Sequence, residues 1–414
     1  MVADPKKALA GAGRPAFPVG ARQRDTRLDV LRAIALITIF INHVPGQVLE
    51  RLTTKNFGFS DGAEAFVLIS GIAVGLAYGG GFTAGNRLAT SWRAVKRAFT
   101  LYLAHMITTF ITLVLFICSA WLFRRPGLLC EINILAVLTN LKAGIPALLL
   151  LGHQIGYNNI LPMYGALLLM VPGVLVLEAA SPLLALGVAG GIWLLAGIYQ
   201  IAPHNMLIEG FWFLNPLSWL FLFTIGIVAA MHVRRGGAIF YHPALLAAAA
   251  AYVALSFFWV VFKLWGIGEF LASSGLPTVI SGFDKTFLSL PRLLHVLALA
   301  YLIVQLPALS RLLRRPADHP LVVLGRHSLN IFVAGTILAM VGQVILYIVN
   351  GSRAIGLLYV LAGLAAQLAY AYHLEQKRLQ GQAQTNRGLA GANPQAVAVP
   401  ARAMHGGRYH RDRK

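Results

Sequence analysis

Long runs of apolar residues, separated by short polar or charged segments, recur along almost the whole chain. A run of about 18 apolar residues or more is long enough to cross the hydrocarbon core of a bilayer as an α-helix. Helices are expected because unpaired backbone groups are too costly in lipid. The pattern predicts an all-α polytopic membrane protein of about ten transmembrane helices, at residues 28–45, 62–79, 98–122, 160–178, 182–201, 214–231, 244–263, 289–309, 321–348 and 354–373.

The composition also indicates that lipid is the solvent of this chain. Of its 414 residues, 58% are hydrophobic and only 12% are charged, and the mean hydropathy is +0.71. A water-soluble domain usually has about a quarter of its residues charged. The segment 126–152 is apolar but is interrupted by polar residues and by Pro146. We expect it to lie in the interface or to re-enter the membrane rather than to span it.

The formal net charge of +20 is explained by membrane topology. Membrane proteins concentrate Lys and Arg in cytoplasmic loops, and most of the basic residues here are cytoplasmic if the N-terminus is inside. We therefore predict a basic cytoplasmic segment at 1–26, a transmembrane domain at 27–374 and a basic, disordered cytoplasmic tail at 375–414. No element typical of nucleic-acid recognition is apparent, so we predict no nucleic-acid partner.

The first apolar segment contains two ionisable residues, Arg32 and His43. Eleven residues of α-helix cover about 16 Å and about three turns, so the two side chains project from one face. Arg32 can be an anchor that extends to the interface, and His43 a histidine at a helix end. Alternatively, both face a polar cavity or partner, as ionisable groups inside a membrane usually do. The spacing alone leaves both interpretations open.

Asp61 and Glu64 lie at the start of the second apolar segment and are three residues apart. Both can complement the positive end of the helix dipole, and Ser60 can cap the first turn. One of the two carboxylates can also orient His43 and stabilise its protonated form. Further along, Gly71, Gly75 and Gly79 form a stripe of small residues that predicts close helix packing.

Other polar residues stand near predicted helix ends, where caps, kinks and interface anchors are common. Taken together they place many polar groups where helices can converge. With two cysteines in the chain, a disulfide framework or a cysteine metal cluster is not expected, and we predict no metal site. The polar residues near helix ends are Tyr164, Arg292, His295, Arg326 and His327. The two cysteines are Cys118 and Cys130.

From about residue 25 to residue 372, the chain resembles the OpgC-type membrane proteins, which succinylate osmoregulated periplasmic glucans. These belong to the wider acyltransferase-3 superfamily. The resemblance rests on a series of short motifs in the same order. They are Arg27-Leu28-Asp29-Val30-Leu31-Arg32 through Ile41-Asn42-His43, Leu52-Thr53 through Gly58-Phe59-Ser60-Asp61, Ala63-Glu64-Ala65-Phe66-Val67, Ser70-Gly71, Leu161-Pro162-Met163-Tyr164, Trp212-Phe213-Leu214-Asn215-Pro216, Arg292-Leu293-Leu294-His295 and Leu324-Gly325-Arg326-His327-Ser328.

The resemblance implies acyl transfer from succinyl-CoA, as a co-substrate, to a hydroxyl of a periplasmic glucan, with no permanently bound cofactor. The Arg-x10-His pattern of the superfamily falls on Arg32 and His43. His43 is expected to take the hydroxyl proton as general base, and Arg32 to position the donor or to stabilise oxyanion charge. Asp61 or Glu64 is expected to orient His43. Arg292 or Arg326 is expected to hold the succinyl carboxylate, with His295, His327 and Tyr164 as further substrate-binding candidates.

The same resemblance places the chain in the bacterial inner membrane, with the lipid bilayer, acyl-CoA and a glycan acceptor as partners. An alternative enzyme hypothesis is an O-acetyltransferase of another surface glycan or of a lipid-linked sugar. A hypothesis from another functional class is a transporter or flippase that moves a glycan without acylating it. The sequence leaves open the acyl group, the sugar position, direct or covalent transfer, and the oligomeric state.

Overall fold

The computed structural model describes residues 25–266 and 275–392, and it shows an all-α architecture there. Each of the ten predicted segments is mostly helical, but 289–309 is broken at Leu306 and 321–348 at His327. The isolated bridge between His204 and Phe211 is the one β-type pairing in the described part of the chain. Before residue 266 the helices are α1 (Thr26–Asn42), α2 (Gly62–Thr83), α3 (Arg87–Leu122), α4 (Leu128–Glu131), α5 (Ile134–Thr139), α6 (Leu141–Leu149), α7 (Ile160–Ala180), α8 (Pro182–Ile198), α9 (Pro216–Arg234) and α10 (Pro243–Val261).

Two turns of 3-10 helix, Val48–Leu52 and Thr54–Asn56, lie between α1 and α2. After residue 275, one short helix precedes the remaining helices. The later helices are α11 (Thr278–Ser281), α12 (Leu290–Gln305), α13 (Pro307–Leu313), α14 (Pro320–Arg326), α15 (Ser328–Ile348) and α16 (Arg353–Ala392).

Seven of the described helices are long and apolar enough to cross a membrane, and the number is eight if α12 and α13 form one bent span. α12 and α13 meet at 90°, at the break before Pro307. The other two predicted spans correspond to α1 and α8, which have 17 residues each. The chain is therefore a multi-pass membrane protein, whereas the number ten and the cytoplasmic termini stay predictions.

Two segments, 126–152 and 375–392, are neither simple transmembrane spans nor a disordered tail. Residues 126–152 form the short helices α4, α5 and α6, separated at Asn133, which has a left-handed backbone, and at Asn140. The last helix continues to Ala392, so residues 375–392 are helical where a disordered tail is predicted. Contacts of Glu375 with Arg326 and His327 extend the packed part of this helix beyond its apolar stretch. Residues 1–24 and 393–414 lie outside the described residues.

The predicted glycine stripe packs α2 directly against the backbone of α9. A Cβ atom at Gly71 would lie 2.2 Å from the carbonyl oxygen of Phe223, and one at Gly75 would lie 2.7 Å from that of Ile227. Gly226 of α9 approaches the carbonyl oxygen of Leu68 in the same way, at 2.5 Å. Small residues permit this approach, and it fixes the position of α2. The packing prediction for the stripe is confirmed.

The first helix, α1, lies between α2 on one side and the pair α14 and α15 on the other. Gly62 rests on α1, where its Cβ would be 3.0 Å from the carbonyl oxygen of Ala35 and 3.2 Å from Ile39. Gly325 rests on the carbonyl oxygen of Asp29, where no side chain would fit. The start of α2 thus meets the second half of α1, and the end of α14 meets its first turn.

Candidate active site

His43 lies directly after the last residue of α1 and keeps its imidazole available. Its ring stacks on Tyr157, with centroids 4.5 Å apart, and its carbonyl oxygen accepts a 2.7 Å hydrogen bond from the Gln343 amide. No described residue hydrogen-bonds its ring nitrogens. Burial lowers the pKa of His43, and the positive charge of Lys285 lowers it further. The imidazole is therefore neutral at ordinary pH and able to accept a proton.

Asp61 and Glu64 cap α2 with one oxygen each. The Ala63 amide donates to Asp61 Oδ1 at 2.8 Å, and the Asp61 amide donates to Glu64 Oε2 at 2.9 Å. This reciprocal arrangement is a capping box, so the capping role is confirmed. Asp61 rather than Ser60 is the N-cap residue.

The second oxygen of each carboxylate binds a cation from a distant part of the chain. Lys285 Nζ lies 2.5 Å from Asp61 Oδ2, and Arg292 contacts Glu64 Oε1 through Nε at 2.8 Å and through its terminal nitrogen at 2.5 Å. The Glu64 side chain is fully buried. Burial would raise the pKa of Asp61, but Lys285 and Arg292 hold it below its ordinary value. The two carboxylates and the two cations form three ion pairs, because Arg292 also lies 3.6 Å from Asp61 Oδ2.

Ser60 and His295 form a second buried polar pair beside these ions. The Ser60 hydroxyl lies 2.7 Å from His295 Nδ1, and the Ser60 amide donates to the same nitrogen at 3.2 Å. Each residue is 3% exposed. Gly58 covers the imidazole so closely that a Cβ there would lie 2.3 Å from the ring. His295 Nε2 is buried and has no hydrogen-bond partner among the described residues.

We call the group of Ser60, Asp61, Glu64, Lys285, Arg292 and His295 the α2-cap cluster. It lies near the His43 end of α1, because Gly62 packs on Ile39, one turn before His43. The predicted hydrogen bond from Asp61 or Glu64 to His43 is not formed: these carboxylates bind Lys285 and Arg292 instead. Asp61 acts on His43 through its charge alone.

Sequence reasoning missed the ion pair of Lys285 with Asp61 and the pairing of Ser60 with His295. Lys285 lies in the loop before α12, far along the chain from Asp61, and nothing in the local pattern indicates that pair. For Ser60 a signal exists: residues Gly58 to Gly62 have the G-x-S-x-G spacing that surrounds many serine nucleophiles. Here the motif joins a loop to a helix, rather than a strand to a helix.

Arg326 and His327 occupy the opposite end of α1, at the break between α14 and α15. Both bind Glu375 of α16: Arg326 pairs with one oxygen, and His327 Nε2 lies 2.9 Å from the other. Arg378 joins the same carboxylate at 2.6 Å. We call Arg326, His327, Glu375 and Arg378 the Glu375 cluster. The structure therefore separates Arg326 and His327 from Arg292 and His295.

Arg32 and Tyr164 lie apart from the α2-cap cluster. Arg32 contacts Asp29 at 3.4 Å and the carbonyl oxygen of Gly325 at 3.5 Å, so it belongs to the end of α1 near the Glu375 cluster. The Tyr164 ring packs in the interior against Phe66 and Phe223.

A cavity of about 190 Å³ runs along α1, between α2 and α12. Asp25 and Arg27 line one end, Ser60 and Asp61 line the other, and the walls between are mostly apolar. The cavity therefore extends along one side of α1 from its first residues to the level of Ser60 and Asp61.

Within the described residues, no three His, Cys, Asp or Glu side chains converge as metal ligands would. The absence of a metal and of a bound cofactor stays a prediction.

Comparison with known families now identifies the chain. The model of the OpgC protein family matches residues 24–378, which contain both clusters. The chain belongs to the OpgC family. No curated protein matches it. OpgC membership implies a glucan acyltransferase activity in a multi-pass membrane protein, and it confirms the resemblance based on the short motifs. Placement of the OpgC chain in the acyltransferase-3 superfamily stays a prediction.

Proposed function

We propose that this chain transfers a succinyl group from succinyl-CoA to hydroxyl groups of periplasmic glucans, in the bacterial inner membrane. The observation that carries the proposal is the His43 imidazole, which is neutral and leaves its ring nitrogens without a partner among the described residues. Such a group can accept the proton of a sugar hydroxyl as its oxygen attacks an acyl carbon. Membership of the OpgC family supplies the glucan as the acceptor.

Arg32 has a different part in this proposal. It lies about 16 Å from His43 along α1, so its guanidinium and the imidazole serve different parts of the substrates. Of the two roles considered for Arg32, positioning the donor fits this separation better than stabilising the oxyanion at the acyl carbon. Arg27 lies at the same end of α1 and lines the cavity.

Lys285 is the cation that we assign to the succinyl carboxylate. Arg292 is engaged by Glu64 and Arg326 by Glu375, whereas the Lys285 ammonium has three N–H groups and one hydrogen-bond acceptor, Asp61, among the described residues. Its side chain is 23% exposed. Its charge acts directly on His43. A carboxylate bound there leaves the other end of the succinyl group for the chemistry at His43.

Mass spectrometry of the periplasmic glucan fraction tests the proposal. We expect succinylated glucan from cells with the wild-type chain, and none from cells without it or with His43→Ala. His232→Ala, at an exposed helix end, is the matched control and should retain succinylation. Identical glucans in all strains would refute the glucan assignment. Acetyl groups in place of succinyl groups would refute the donor assignment and favour the O-acetyltransferase reading.

A further inference from the structure

The hydroxyl of Ser60 is not used for helix capping, because Asp61 has that role. It is directed at His295 Nδ1 instead. A backbone amide can only donate a hydrogen bond, and the Ser60 amide donates to the same nitrogen. Nδ1 therefore carries a lone pair, and the ring proton is on Nε2. The serine hydroxyl thus donates to a nitrogen that is able to take its proton.

A purely structural reading makes Ser60 a partner that satisfies a buried histidine. That reading leaves His295 Nε2 unexplained, because this buried N–H has no partner among the described residues. Buried polar atoms are almost always paired, since an unpaired one costs about 1–3 kcal/mol. Exceptions of this kind are concentrated at functional sites.

The surroundings of Ser60 suit chemistry at its oxygen. Ser60 is among the residues that line the cavity along α1, and it is 3% exposed. The following residue, Asp61, pairs with Lys285 at 2.5 Å and with Arg292 at 3.6 Å. These cations and the N-terminal end of α2 favour negative charge developing nearby. Both glycines of the motif are required by close packing, Gly58 on His295 and Gly62 on α1.

We propose that Ser60 is a nucleophile that carries the acyl group as an ester between donor and glucan, with His295 as its base. This inference rests on the proposed acyl transfer. In the first step, the Ser60 proton moves to His295 Nδ1, Oγ bonds to the thioester carbon, and the carbon–sulfur bond breaks. The leaving thiolate takes the proton from His295 and departs as a thiol.

In the second step, a sugar hydroxyl attacks the ester carbon of acyl-Ser60. Its proton goes to His43, its oxygen forms the new ester bond, and the bond to Ser60 Oγ breaks. Ser60 Oγ recovers a proton, which His43 returns through solvent, and the enzyme is restored. The scheme assigns the two histidines to different steps: His295 to loading of the acyl group and His43 to its delivery.

The test follows labelled succinyl groups on the purified full-length chain, mixed with radiolabelled succinyl-CoA before glucan is added. We expect label on the Ser60 peptide of the wild type and none on Ser60→Ala. His295→Gln should load about 10²–10⁴-fold more slowly. His43→Ala should load but fail to pass the label to added glucan. Ser181→Ala, at the cap of α8, is the matched control and should behave as wild type.

Ser60→Cys is a second variant for the case that Ser60→Ala fails to fold, because it keeps a nucleophile at this position. A loaded cysteine is a thioester, so neutral hydroxylamine should release its label, whereas the serine ester of the wild type should resist. Glucan succinylation by Ser60→Ala at the wild-type rate, or label on His43 in place of Ser60, would overturn the inference and leave the proposed function standing. A wild-type chain that neither loads nor succinylates glucan would refute both.

Discussion

The two ends of α1 carry polar clusters that look similar in the sequence and differ in how their atoms are paired. In the Glu375 cluster, one carboxylate binds Arg326, His327 and Arg378, and the group fastens α16 to the break between α14 and α15. At the other end, His43 and His295 retain ring nitrogens without partners among the described residues. The two ends of α1 therefore differ in unpaired hydrogen-bonding capacity rather than in polarity.

The largest difference is expected from removing one arginine at each end. Arg292→Met leaves the fully buried Glu64 without its cation, which should lower the free energy of unfolding by about 3–5 kcal/mol. Arg326→Met should cost about 1 kcal/mol, because Glu375 keeps His327 and Arg378. Thermal unfolding in detergent micelles checks both values. Equal losses would show that the two clusters are equivalent anchors.

Lys285 of the α2-cap cluster should determine the preference for a donor that has a carboxylate. Lys285→Met should lower kcat/KM for succinyl-CoA by about 10–100-fold, since a charged hydrogen bond contributes about 1.5–3 kcal/mol. Transfer from butyryl-CoA, which has no carboxylate, should fall less, because only the effect of the Lys285 charge on the reaction is lost. Lys55→Met is the control, because Lys55 also acts on His43 by charge but pairs with Glu50. The same loss with both donors would contradict a carboxylate contact.

The stacking of Tyr157 on His43 should have a smaller effect. Tyr157→Leu removes the aromatic partner, and with a stacking energy of about 0.5–1.5 kcal/mol the rate should fall by about 2–10-fold. Tyr157→Phe keeps the ring and should retain most of the activity. Steady-state rates of glucan succinylation measure both. A large loss in Tyr157→Phe would indicate a role of the phenol hydroxyl instead.

The smallest expected effect is on pH dependence. The active form of His43 is the neutral imidazole, and burial and Lys285 lower its pKa from the ordinary value of 6.5. The acidic limb of the rate profile should therefore lie below pH 6.5, with activity lost only as pH falls through the lowered pKa. Lys285→Met removes a positive charge near the imidazole, so the limb should move to higher pH. If the acidic limb of the rate profile does not move in Lys285→Met, Lys285 does not lower the pKa of His43.

Hydropathy predicted the helical segments well, because the length of an apolar run is a local property of the sequence. The local spacing of residues predicted the packing of Gly71 and Gly75, and the capping by Asp61 and Glu64. The charge partners could not be predicted in this way. Lys285 reaches Asp61 across much of the chain, and His295 reaches Ser60 likewise, so only the tertiary structure brings them together. It also separates Arg326 from Arg292, which the sequence treated as equivalent candidates.

The role of His43 in acyl transfer is tested most directly by comparing one histidine from each end of α1. Purified wild type, His43→Ala and His327→Ala, reconstituted in lipid vesicles, are supplied with succinyl-CoA and glucan, and the initial rate of glucan succinylation is measured. We expect a rate about 10²–10⁴-fold lower for His43→Ala and close to wild type for His327→Ala. Wild-type activity in His43→Ala, or an equal loss in both variants, would contradict it.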